Sequence, residues 1–542
     1  MKTLCLLTCL FSLTTIYAQV DTLALIGQRL GLHFSPDQLK MMEKAINDRS
    51  SDYEKMREEV IENSVSPAFH FDPRPHGFVI STVDEKPINW SLPKISLPQH
   101  PGDLAFYSIL ELATLIKSRE ISCVALTNFF LSRIKMYSDT LKCTISVTED
   151  LALQQAQRAD SLLDQGIWLG PLHGIPYGAK DLFSVPGYKT SWGAAPFQDQ
   201  TLVETSDVVE KLTSAGAVLV AKLTLGALAM GDVWYGGMTR NPWNLEQGSS
   251  GSSAGSASAT VAGLVPFALG TETRGSITSP STRCGATGLR PTFGRVSRAG
   301  AMALSWTMDK IGPICRSAED CAIVFDVIRG KGRDNTVIEA PFPYDQDLDV
   351  RQLKVGYFKN LFDSCEFTRP YDEAALQTLR SMGLNLQEVH YKIEQPVEAI
   401  GFILIAEAAA AFDELTRSGR DSLLVRQHEH AWPNTFRAAR YIPAVEYIQA
   451  NRIRSLLMDE FHKLISGYDV IVTPTFEGTQ ILTTNLTGQP VVTLPHGFAE
   501  DGTPRSITFL GNLFEEHKIL ALAQAFQLAT DFEDRHPLPF RE

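Results

Sequence analysis

Gly248-Ser-Ser-Gly-Ser-Ser-Ala-Gly-Ser-Ala-Ser-Ala-Thr260 is a run of small residues near the middle of the chain. Runs of glycine and serine are often flexible linkers between domains. The flanks argue against a linker, because a turn with a large aromatic, Asn241-Pro-Trp-Asn244, precedes the run and the apolar segment 261–269 follows it. The run is therefore predicted to pack closely against other backbone and to gather hydroxyl and N–H groups around one point.

A single nucleophilic serine inside this run is the first kind of site to consider. Residues 251–255 match the pattern G-x-S-x-G of a nucleophile elbow, with Ser253 as nucleophile and Asp469 and His496 following in the right order. Such a short match arises easily in a Gly/Ser run, so a Ser-His-Asp esterase stays open only as an alternative. A phosphate-binding loop is excluded, because no Gly-Lys-Ser/Thr closes the run.

Three separated segments offer a different site. They are, in chain order, Gly170-Pro-Leu-His-Gly-Ile-Pro-Tyr-Gly-Ala-Lys-Asp181, Gly251-Ser-Ser-Ala-Gly-Ser256 and Gly270-Thr-Glu-Thr-Arg-Gly-Ser-Ile277. Further patterned segments are Ser279-Pro-Ser-Thr-Arg-Cys-Gly285, Gly288-Leu-Arg-Pro-Thr292, Asp309-Lys-Ile-Gly-Pro313, Asp469-Val-Ile-Val-Thr-Pro474 and Asn485-Leu-Thr-Gly-Gln-Pro490. With 24 residues from Ser252 to Ser276, these motifs resemble the amidase signature family in content, order and spacing over roughly residues 104 to 537.

The resemblance implies both a fold and a set of catalytic residues. The fold is α/β, with one large domain whose mixed, twisted central sheet is covered by helices. The implied catalytic residues are Ser276 as nucleophile, Ser252 as a bridging serine at a cis peptide bond, and Lys180 as the base. The implied reaction is hydrolysis of a carboxamide C–N bond through an acyl-enzyme, which yields a carboxylate and ammonia or an amine.

The chemistry of these side chains supports that division of roles. A serine hydroxyl is a poor nucleophile and needs a neighbouring base. An ammonium cannot accept a proton, so Lys180 must be neutral, and burial among apolar groups lowers a lysine pKa. The apolar residues 175–176 and 182–183 flank Lys180 and provide such surroundings. Ser252 then carries the proton from Ser276 to Lys180, and this chemistry needs no metal and no organic cofactor.

The turn before the nucleophile is the predicted oxyanion hole. A tetrahedral oxyanion needs backbone N–H donors directed at it, and the candidates are those of Thr273, Arg274, Gly275 and Ser276. Arg274 departs from the family, which usually has glycine, aspartate or an apolar residue there. Its backbone N–H is retained. Its guanidinium is expected either to favour an anionic substrate at the mouth of the site or to pair with Glu272.

Composition and periodicity describe the rest of the chain. The 542 residues include 44% apolar ones and carry a net charge of −13. These values exclude a mainly disordered chain and a nucleic-acid binder that uses a basic face. Predicted strands lie at 143–147, 217–220, 353–358 and 470–472, and predicted helices at 38–61, 109–117, 124–136 and 151–163. The domain is expected to span 104–542, after an arm at 19–103 that is helical first and proline-rich later.

The N-terminus has the pattern of an export signal. Lys2 precedes an apolar run from Leu4 to Ile16, and Ala18 offers a small residue at a cleavage point. Residues 1–18 are therefore predicted to be a signal peptide, whose removal makes the net charge one unit more negative. We expect a periplasmic or secreted protein, a monomer or homodimer, that takes a small-molecule or peptide amide. It is expected to bind no nucleic acid and not to insert stably into a membrane.

Two alternatives to an exported amidase share parts of this pattern. The glutaminase subunit of a transamidosome has the same fold, but it works in the cytoplasm with partner subunits and tRNA. That role disagrees with the export signal and the acidic charge. A non-catalytic binding protein on the same scaffold disagrees with the complete set of Lys180, Ser252 and Ser276.

Methionine and aromatic side chains are the candidates for lining an acyl pocket. The segment 224–237 contributes Met230, Trp234 and Tyr235, and the segment 402–447 contributes Phe402, Trp432 and Tyr447. Packing in the hydrophobic core is an equally good interpretation of each aromatic. The six cysteines that follow the predicted signal are scattered without zinc-site spacing, and they permit one or two disulfides.

Overall fold

The computed structural model describes residues 22–59, 61–83 and 85–541. The predicted signal peptide at 1–18 lies outside these residues. Contacts within the chain divide it into two compact units, the first ending at Val65 and the second beginning at Ser66.

The first unit is helical, as the periodicity of its sequence predicts. Residues 22–29 form one helix and Pro36–Met56 a longer one. The longer helix follows Ser35, whose hydroxyl accepts the N–H of Gln38 while the Gln38 side chain accepts the N–H of Ser35. This reciprocal capping satisfies two of the N–H groups that the start of a helix leaves unpaired.

The second unit contains a large sheet and two short hairpins. In chain order its strands are β1 (Thr144–Val147), β2 (Pro176–Lys180), β3 (Val218–Leu223), β4 (Val233–Trp234), β5 (Gly237–Met238), β6 (Arg240–Asn241), β7 (Asn244–Gly248), β8 (Phe267–Glu272), β9 (Thr287–Arg290), β10 (Lys310–Cys315), β11 (Val355–Phe358), β12 (Leu386–Val389), β13 (Val470–Pro474), β14 (Val491–Phe498) and β15 (Pro504–Gly511). β4 pairs with β5, and β6 pairs with β7. The other eleven strands form one sheet in the order β1-β3-β2-β8-β10-β9-β14-β15-β13-β11-β12.

The large sheet mixes parallel and antiparallel pairs. β2 runs parallel to β3 and β8, and β11 runs parallel to β12 and β13. The remaining neighbours are antiparallel. Every residue of β2, β3, β10 and β13 is buried, as expected for strands covered on both faces. The predicted fold class, an α/β domain with a mixed central sheet, is confirmed.

Helices cover this sheet. In the second unit they span Ile109–Lys117, Cys123–Leu141, Glu149–Asp164, Asp207–Ser214, Ala254–Val261, Thr278–Cys284, Ala318–Ile328, Lys359–Ser364, Arg369–Ser381, Phe402–Ala411, Asp413–Arg417, Trp432–Ala439, Ala444–Ile465, Gln480–Thr487 and Glu516–Leu528. Short 3-10 helices span Pro101–Phe106, Ala195–Phe197, Ala227–Ala229, Val350–Gln352, Ala399–Gly401, Arg420–Leu423 and Leu538–Phe540. The predicted helix 109–117 has the predicted bounds, and a capping box between Ser108 and Glu111 marks its start.

The proline-rich segment 66–103 belongs to the second unit. Most of its described residues form neither helix nor strand, because proline removes backbone N–H donors and interrupts helices. Its aromatic side chains pack on the domain. The ring centroids of Phe71 and Phe293 are 5.1 Å apart, and those of Trp90 and Tyr344 are 5.6 Å apart. The segment is therefore extended and lies against the surface of the domain.

The Gly/Ser run 248–260 is packed inside the domain, so the linker interpretation is wrong. Its second half begins the helix Ala254–Val261, in which every residue is buried. A side chain at Gly255 would place its Cβ 2.3 Å from the carbonyl oxygen of Cys143 and 2.5 Å from the backbone nitrogen of Thr224. Only a residue without a side chain allows the backbone to approach this closely.

Candidate active site

The carboxyl ends of two parallel strands bring the predicted site residues together. β2 ends at Lys180, and its parallel neighbour β8 ends at Glu272. β10 runs antiparallel to β8 and begins at Lys310, opposite Glu272. In sheets of this kind a crevice forms beyond the carboxyl ends of the strands. The segments that follow β2 and β8 therefore meet at one edge of the sheet.

Lys180 is fully buried at this edge. Its Nζ lies 2.8 Å from Ser252 Oγ, 2.8 Å from Thr271 Oγ1 and 3.1 Å from Ser253 Oγ. Burial disfavours the ammonium form and lowers the pKa of Lys180 to about 7, although two nearby carboxylates act in the opposite direction. A lysine with this pKa is partly neutral near neutral pH, as a proton acceptor must be.

Ser252 and Ser276 lie on adjoining segments of the site. The peptide bond between Gly251 and Ser252 is cis. The N–H of Ser253 donates to the carbonyl oxygen of Ser276 at 3.1 Å and so joins the Gly/Ser segment to the segment after β8. Ser276 keeps 9% of its surface accessible and Ser252 keeps 1%. A substrate that enters from solvent therefore meets Ser276 before Ser252.

The turn from Thr273 to Ser276 leaves its backbone donors available. Gly275 has a φ of 85°, in the left-handed region that residues with a Cβ rarely adopt. No described residue accepts a hydrogen bond from the N–H groups of residues 273–276. Unpaired N–H groups that are gathered in one turn are the donors that an oxyanion requires.

Two carboxylates, the half-buried Asp309 and the buried Glu272, accept hydrogen bonds from the two ends of this turn. On one side the Thr273 hydroxyl donates to Asp309 Oδ1 at 2.6 Å. On the other side the N–H groups of Ile277 and Thr278 both donate to Glu272 Oε2 at 2.9 Å. Hydrogen bonds to carboxylate oxygens therefore fix the Thr273 side chain before the candidate nucleophile and the backbone after it.

Glu272 pairs with Arg290 and not with Arg274. Its Oε1 lies 2.6 Å from Arg290 Nη1 and accepts a hydrogen bond from Asn485 Nδ2 at 2.9 Å. Burial alone would raise the pKa of Glu272, but the Arg290 guanidinium and the hydrogen bonds outweigh it and lower the pKa to about 2. The expected pairing of Arg274 with Glu272 is wrong, because a buried carboxylate needs a buried partner and Arg274 is exposed.

Asp309 is fixed by a loop that the sequence analysis did not assign to the site. Its Oδ2 accepts the N–H groups of Leu304 and Ser305 at 2.8 and 2.9 Å. The Ser305 hydroxyl donates to Glu407 at 2.6 Å, and the Thr307 N–H and hydroxyl donate to Glu407 at 3.0 and 2.8 Å. Asp309 begins one of the quoted motifs, which was a usable signal, whereas Glu407 belongs to no motif.

The residues of the Ser-His-Asp alternative lie in different environments. Ser253 Oγ donates to a strand carbonyl at 3.1 Å. Asp469 pairs with Lys518 at 2.7 Å, and His496 Nε2 lies 2.8 Å from Asp372 Oδ1. Because each member has other partners, the geometry argues against the esterase alternative.

The predicted pocket residues Met230, Trp234 and Tyr235 lie on a segment that touches the site. A side chain at Gly251 would place its Cβ 1.9 Å from the carbonyl oxygen of Gly231, so this segment runs directly beside the Gly/Ser turn. Trp234 is buried, and its ring packs edge to face on Tyr235 at 4.9 Å. Met230 and Tyr235 are half-buried. Their contact with a substrate stays a prediction.

The second candidate segment contributes mainly to the core. Trp432 is buried and donates its indole N–H to the Leu228 carbonyl oxygen at 2.9 Å. The Tyr447 hydroxyl donates to Glu407 at 2.7 Å. Phe402 packs against a hydrophobic cluster between helices. For these aromatics the structure supports the packing interpretation.

The six cysteines after the predicted signal are buried and free of disulfides. In the three described ranges, no group of three or more His, Cys, Asp and Glu side chains is arranged to bind a metal ion. None of the described helices is both long and apolar enough to cross a membrane.

Three comparisons relate this chain to known proteins. A family model described as Amidase matches residues 125–483. The A subunit of the glutamyl-tRNA(Gln) amidotransferase of Methylococcus capsulatus is 33% identical over 480 residues, which cover 79% of this chain and 98% of that relative. The corresponding protein of Geobacillus kaustophilus is 32% identical over 482 residues, with 80% and 99% covered. The solved structure of native peptide amidase from Stenotrophomonas maltophilia aligns with a TM-score of 0.71 at 27% identity and covers 79% of this chain and 98% of its own.

Proposed function

Because the chain belongs to the amidase signature family and hydrolyses amide C–N bonds, we propose that Ser276, Ser252 and Lys180 are its catalytic residues. The observation that carries this proposal is the 2.8 Å contact between Lys180 Nζ and Ser252 Oγ in a buried site. Among the described residues, no carboxylate lies within ion-pair distance of Lys180. A buried lysine that contacts hydroxyl groups instead of a carboxylate is well placed to exchange a proton.

In the first half-reaction, Ser276 Oγ bonds to the carbonyl carbon of the amide. Its proton moves to Ser252 Oγ as the Ser252 proton moves to the neutral Nζ of Lys180. The tetrahedral intermediate collapses when the C–N bond breaks, and a proton returns from Lys180 through Ser252 to the leaving nitrogen. Ammonia or an amine departs, and the acyl group remains on Ser276 as an ester.

In the second half-reaction, water replaces the amine. The water oxygen bonds to the ester carbon while one of its protons passes through Ser252 to Lys180. The ester C–O bond then breaks, and the relay returns the proton to Ser276 Oγ. The products are a carboxylic acid and the regenerated serine hydroxyl. The acid gives its remaining proton to the released ammonia or amine and leaves as a carboxylate, so atoms and protons balance over the cycle.

The backbone donors of residues 273–276 are proposed to stabilise the oxyanion of both tetrahedral intermediates. Donors that are fixed before the reaction need no reorganisation when the charge develops. The hydrogen bonds from Thr273 to Asp309 and from residues 277–278 to Glu272 support this arrangement. Losing one such donor typically slows an enzyme about 100- to 1000-fold.

Covalent labelling together with product release tests the assignment of Ser276. We expect Ser276→Ala to abolish both labelling by a fluorophosphonate and the release of ammonia from an amide. Lys180→Met should lower turnover by at least about a thousandfold, since the proton then has no acceptor. His496→Ala should leave Ser276 open to labelling, because the proposed relay contains no histidine.

The matched control for Ser276→Ala is a substitution at Ser253, the serine next to Ser252. Ser253→Ala removes a hydroxyl of the same segment and should leave Ser276 open to labelling. Far-ultraviolet circular dichroism and a thermal melt show whether each variant is folded. If Ser253→Ala abolishes labelling and a folded Ser276→Ala does not, the assignment of the nucleophile is wrong.

A second candidate function follows from the relatives named above, which are components of a glutamyl-tRNA(Gln) amidotransferase. In that role the chain would be the glutaminase component of an assembly. The two functions differ in what the isolated chain does. An amidase releases ammonia from simple amides without partners. A glutaminase component would instead act on glutamine and elute from a native extract together with tRNA and further protein components.

We propose further that the protein is exported and acts in the periplasm or outside the cell. The support is the sequence pattern of residues 1–18, with Lys2, an apolar run and a small residue at Ala18. The mass of the protein recovered from fractions of its native host tests this proposal. A mature protein that begins at Gln19 in the exported fraction is expected. A protein that retains Met1 and stays in the cytoplasmic fraction would contradict it.

A further inference from the structure

We propose that the substrate is an amide whose acyl portion carries a carboxylate, and that the guanidinium groups of Arg274 and Arg426 bind this carboxylate beside the catalytic residues. The proposal rests on the proposed role of Ser276 and adds a class of substrate to it. The proposal assigns a role to the positive charge at the entrance to the site, because the hydrolytic chemistry itself does not require that charge.

Arg274 is the exposed residue of the nucleophile turn. Its neighbours Thr273, Gly275 and Ser276 are buried, whereas Arg274 is exposed to solvent. Within the described ranges it forms no ion pair, no side-chain hydrogen bond and no contact with an aromatic ring. Because it lies two residues before Ser276, its guanidinium can reach a group a few bonds away from the amide. Its charge is therefore free to bind a ligand.

Arg426 approaches the same site from a different part of the chain. A side chain at Gly231 would place its Cβ 3.1 Å from Arg426 Nη1, so the guanidinium lies next to that glycine. Gly231 in turn touches Gly251, since a Cβ at Gly251 would lie 1.9 Å from the Gly231 carbonyl oxygen. Gly231 therefore lies between the Arg426 guanidinium and Gly251, the residue before Ser252.

The carboxylates near this entrance do not neutralise both guanidinium groups. Asp232 lies 3.6 Å from Arg426 and also accepts the N–H of Ser250 at 3.0 Å. Glu272 is buried and Asp309 is half-buried, and their oxygens are engaged by other partners. Among the described residues of this entrance, the Arg274 guanidinium therefore keeps an unpaired positive charge, in a chain whose net charge is −13. A local reversal of sign of this kind favours an anionic ligand.

A carboxylate is the anion that best fits this chemistry. A guanidinium forms two parallel N–H···O bonds to the two oxygens of a carboxylate. Arg274 belongs to the turn that is proposed to bind the acyl oxygen, so the recognised carboxylate is placed on the acyl side of the scissile bond. The leaving group is then free to be ammonia, and a neutral amide of the same shape gains nothing from Arg274.

Two pairs of isosteric amides test the proposal with the full chain. They are succinamate with succinamide, and glutaramate with glutaramide, and the members of a pair differ only in a terminal carboxylate or carboxamide. We expect kcat/KM to be higher for the carboxylate member by about tenfold, the size of one charge-assisted hydrogen bond. The preference should decrease as ionic strength rises, because salt screens exposed charges.

Substitutions of single arginines locate the source of the preference. Arg274→Gln should lower the ratio of carboxylate to carboxamide kcat/KM about tenfold, and Arg426→Gln should lower it several-fold. Arg274→Lys keeps the charge without the paired donors and should retain part of the preference. The matched control is Arg283→Gln, an exposed arginine in the helix Thr278–Cys284. It should leave the ratio unchanged.

A second measurement needs no turnover. Succinamate and glutaramate should protect Ser276 from fluorophosphonate labelling at lower concentrations than succinamide and glutaramide do. Arg274→Gln should remove that difference. Equal kcat/KM within a pair, or an unchanged ratio in Arg274→Gln, overturns the proposal. If the diamides are still hydrolysed in a Ser276-dependent way, only the substrate class is wrong. If no amide is hydrolysed and Ser276 resists labelling, the proposed function fails together with it.

Discussion

Among single residues, Lys180 has a pKa that is set by two opposing electrostatic effects. Burial removes the water that would stabilise an ammonium, whereas the carboxylates of Asp309 and Glu272 stabilise it. The hydroxyls of Ser252 and Thr271, both 2.8 Å from Nζ, can accept from an ammonium or donate to an amine. Burial has the larger effect, and the resulting pKa of about 7 leaves both protonation states populated near neutral pH.

The pH dependence of kcat/KM follows from this pKa. Protonated Lys180 cannot accept the serine proton, so lowering the pH by one unit below about 7 should lower kcat/KM about tenfold. Above that pKa the rate should reach a plateau. The measurement is kcat/KM for an uncharged amide from about pH 5 to about pH 9, so that the substrate does not titrate. A flat profile over this range would exclude Lys180 as the base.

Among the elements, the helix Ala254–Val261 determines how closely the site segments approach. Ser256 and Ser258 donate their hydroxyls to the carbonyl oxygens of Leu269 and Arg240 at 2.9 and 2.8 Å. These hydrogen bonds satisfy the polar groups inside the core, so burying these small polar residues costs little free energy of folding. The composition that looks like a flexible linker is what lets this helix pack against neighbouring strands.

Gly255 provides the test of this packing. Gly255→Ala would place a methyl group 2.3 Å from the Cys143 carbonyl oxygen and should lower the free energy of unfolding by about 1–3 kcal/mol. The measurement is urea denaturation followed by fluorescence. The matched control is Gly467→Ala, because no heavy atom lies within 4 Å of that Cβ position. Equal losses in the two variants would mean that close packing does not matter at Gly255.

The helix Phe402–Ala411 acts on the site through the loop that precedes β10. Glu407→Ala removes the acceptor for Ser305, Thr307 and Tyr447. It leaves the donors of Ser305 and Thr307 buried without a partner and should destabilise the fold by about 2–4 kcal/mol. We also expect kcat to fall more than KM rises, because Asp309 and the turn 273–276, the proposed oxyanion hole, lose their support. Steady-state kinetics of the folded variant measures this.

A milder variant serves as the control for that prediction. Tyr447→Phe removes a single hydrogen bond to Glu407, so it should cost about 1 kcal/mol and leave kcat nearly unchanged. A Glu407→Ala variant that is folded and has an unaltered kcat would show that the loop does not depend on this carboxylate.

In the whole molecule, the proline-rich segment completes the domain that contains the site. Phe71 lies over the guanidinium of Arg454, with 3.5 Å between the ring centroid and the guanidinium carbon. Arg454 is buried and donates to the Leu486 carbonyl oxygen at 2.5 Å. The contact therefore shields a buried charge from water, besides adding apolar area.

Two truncated chains test how the helical unit before Ser66 and the proline-rich segment 66–103 each contribute to stability. A chain that begins at Ser66 keeps the whole second unit and should retain its amidase activity and melting temperature. A chain that begins at Leu104 lacks Phe71 and Trp90, exposes Arg454, and should melt at a clearly lower temperature. Phe71→Ala alone should cost about 1–3 kcal/mol. Equal melting temperatures for the two truncated chains would contradict this account.

The sequence by itself determined the family, the fold class, several element boundaries and the segments that meet at the site. The helix Ile109–Lys117 has the bounds predicted for it, and the strand predicted at 143–147 spans Thr144–Val147. Both predictions rest on local properties of the chain, helical spacing and alternation. The segments that contain Lys180, Ser252 and Ser276 were identified because their motifs are short and contiguous.

Only the tertiary structure decided which side chains pair around those segments. Arg274 is closer in sequence to Glu272 than Arg290 is, yet Arg290 forms the ion pair, because both partners end buried strands of one sheet. Glu407 joins the site network for a different tertiary reason, because its helix packs against the loop before Asp309. Such contacts depend on strand order and helix placement, which no local pattern of residues encodes.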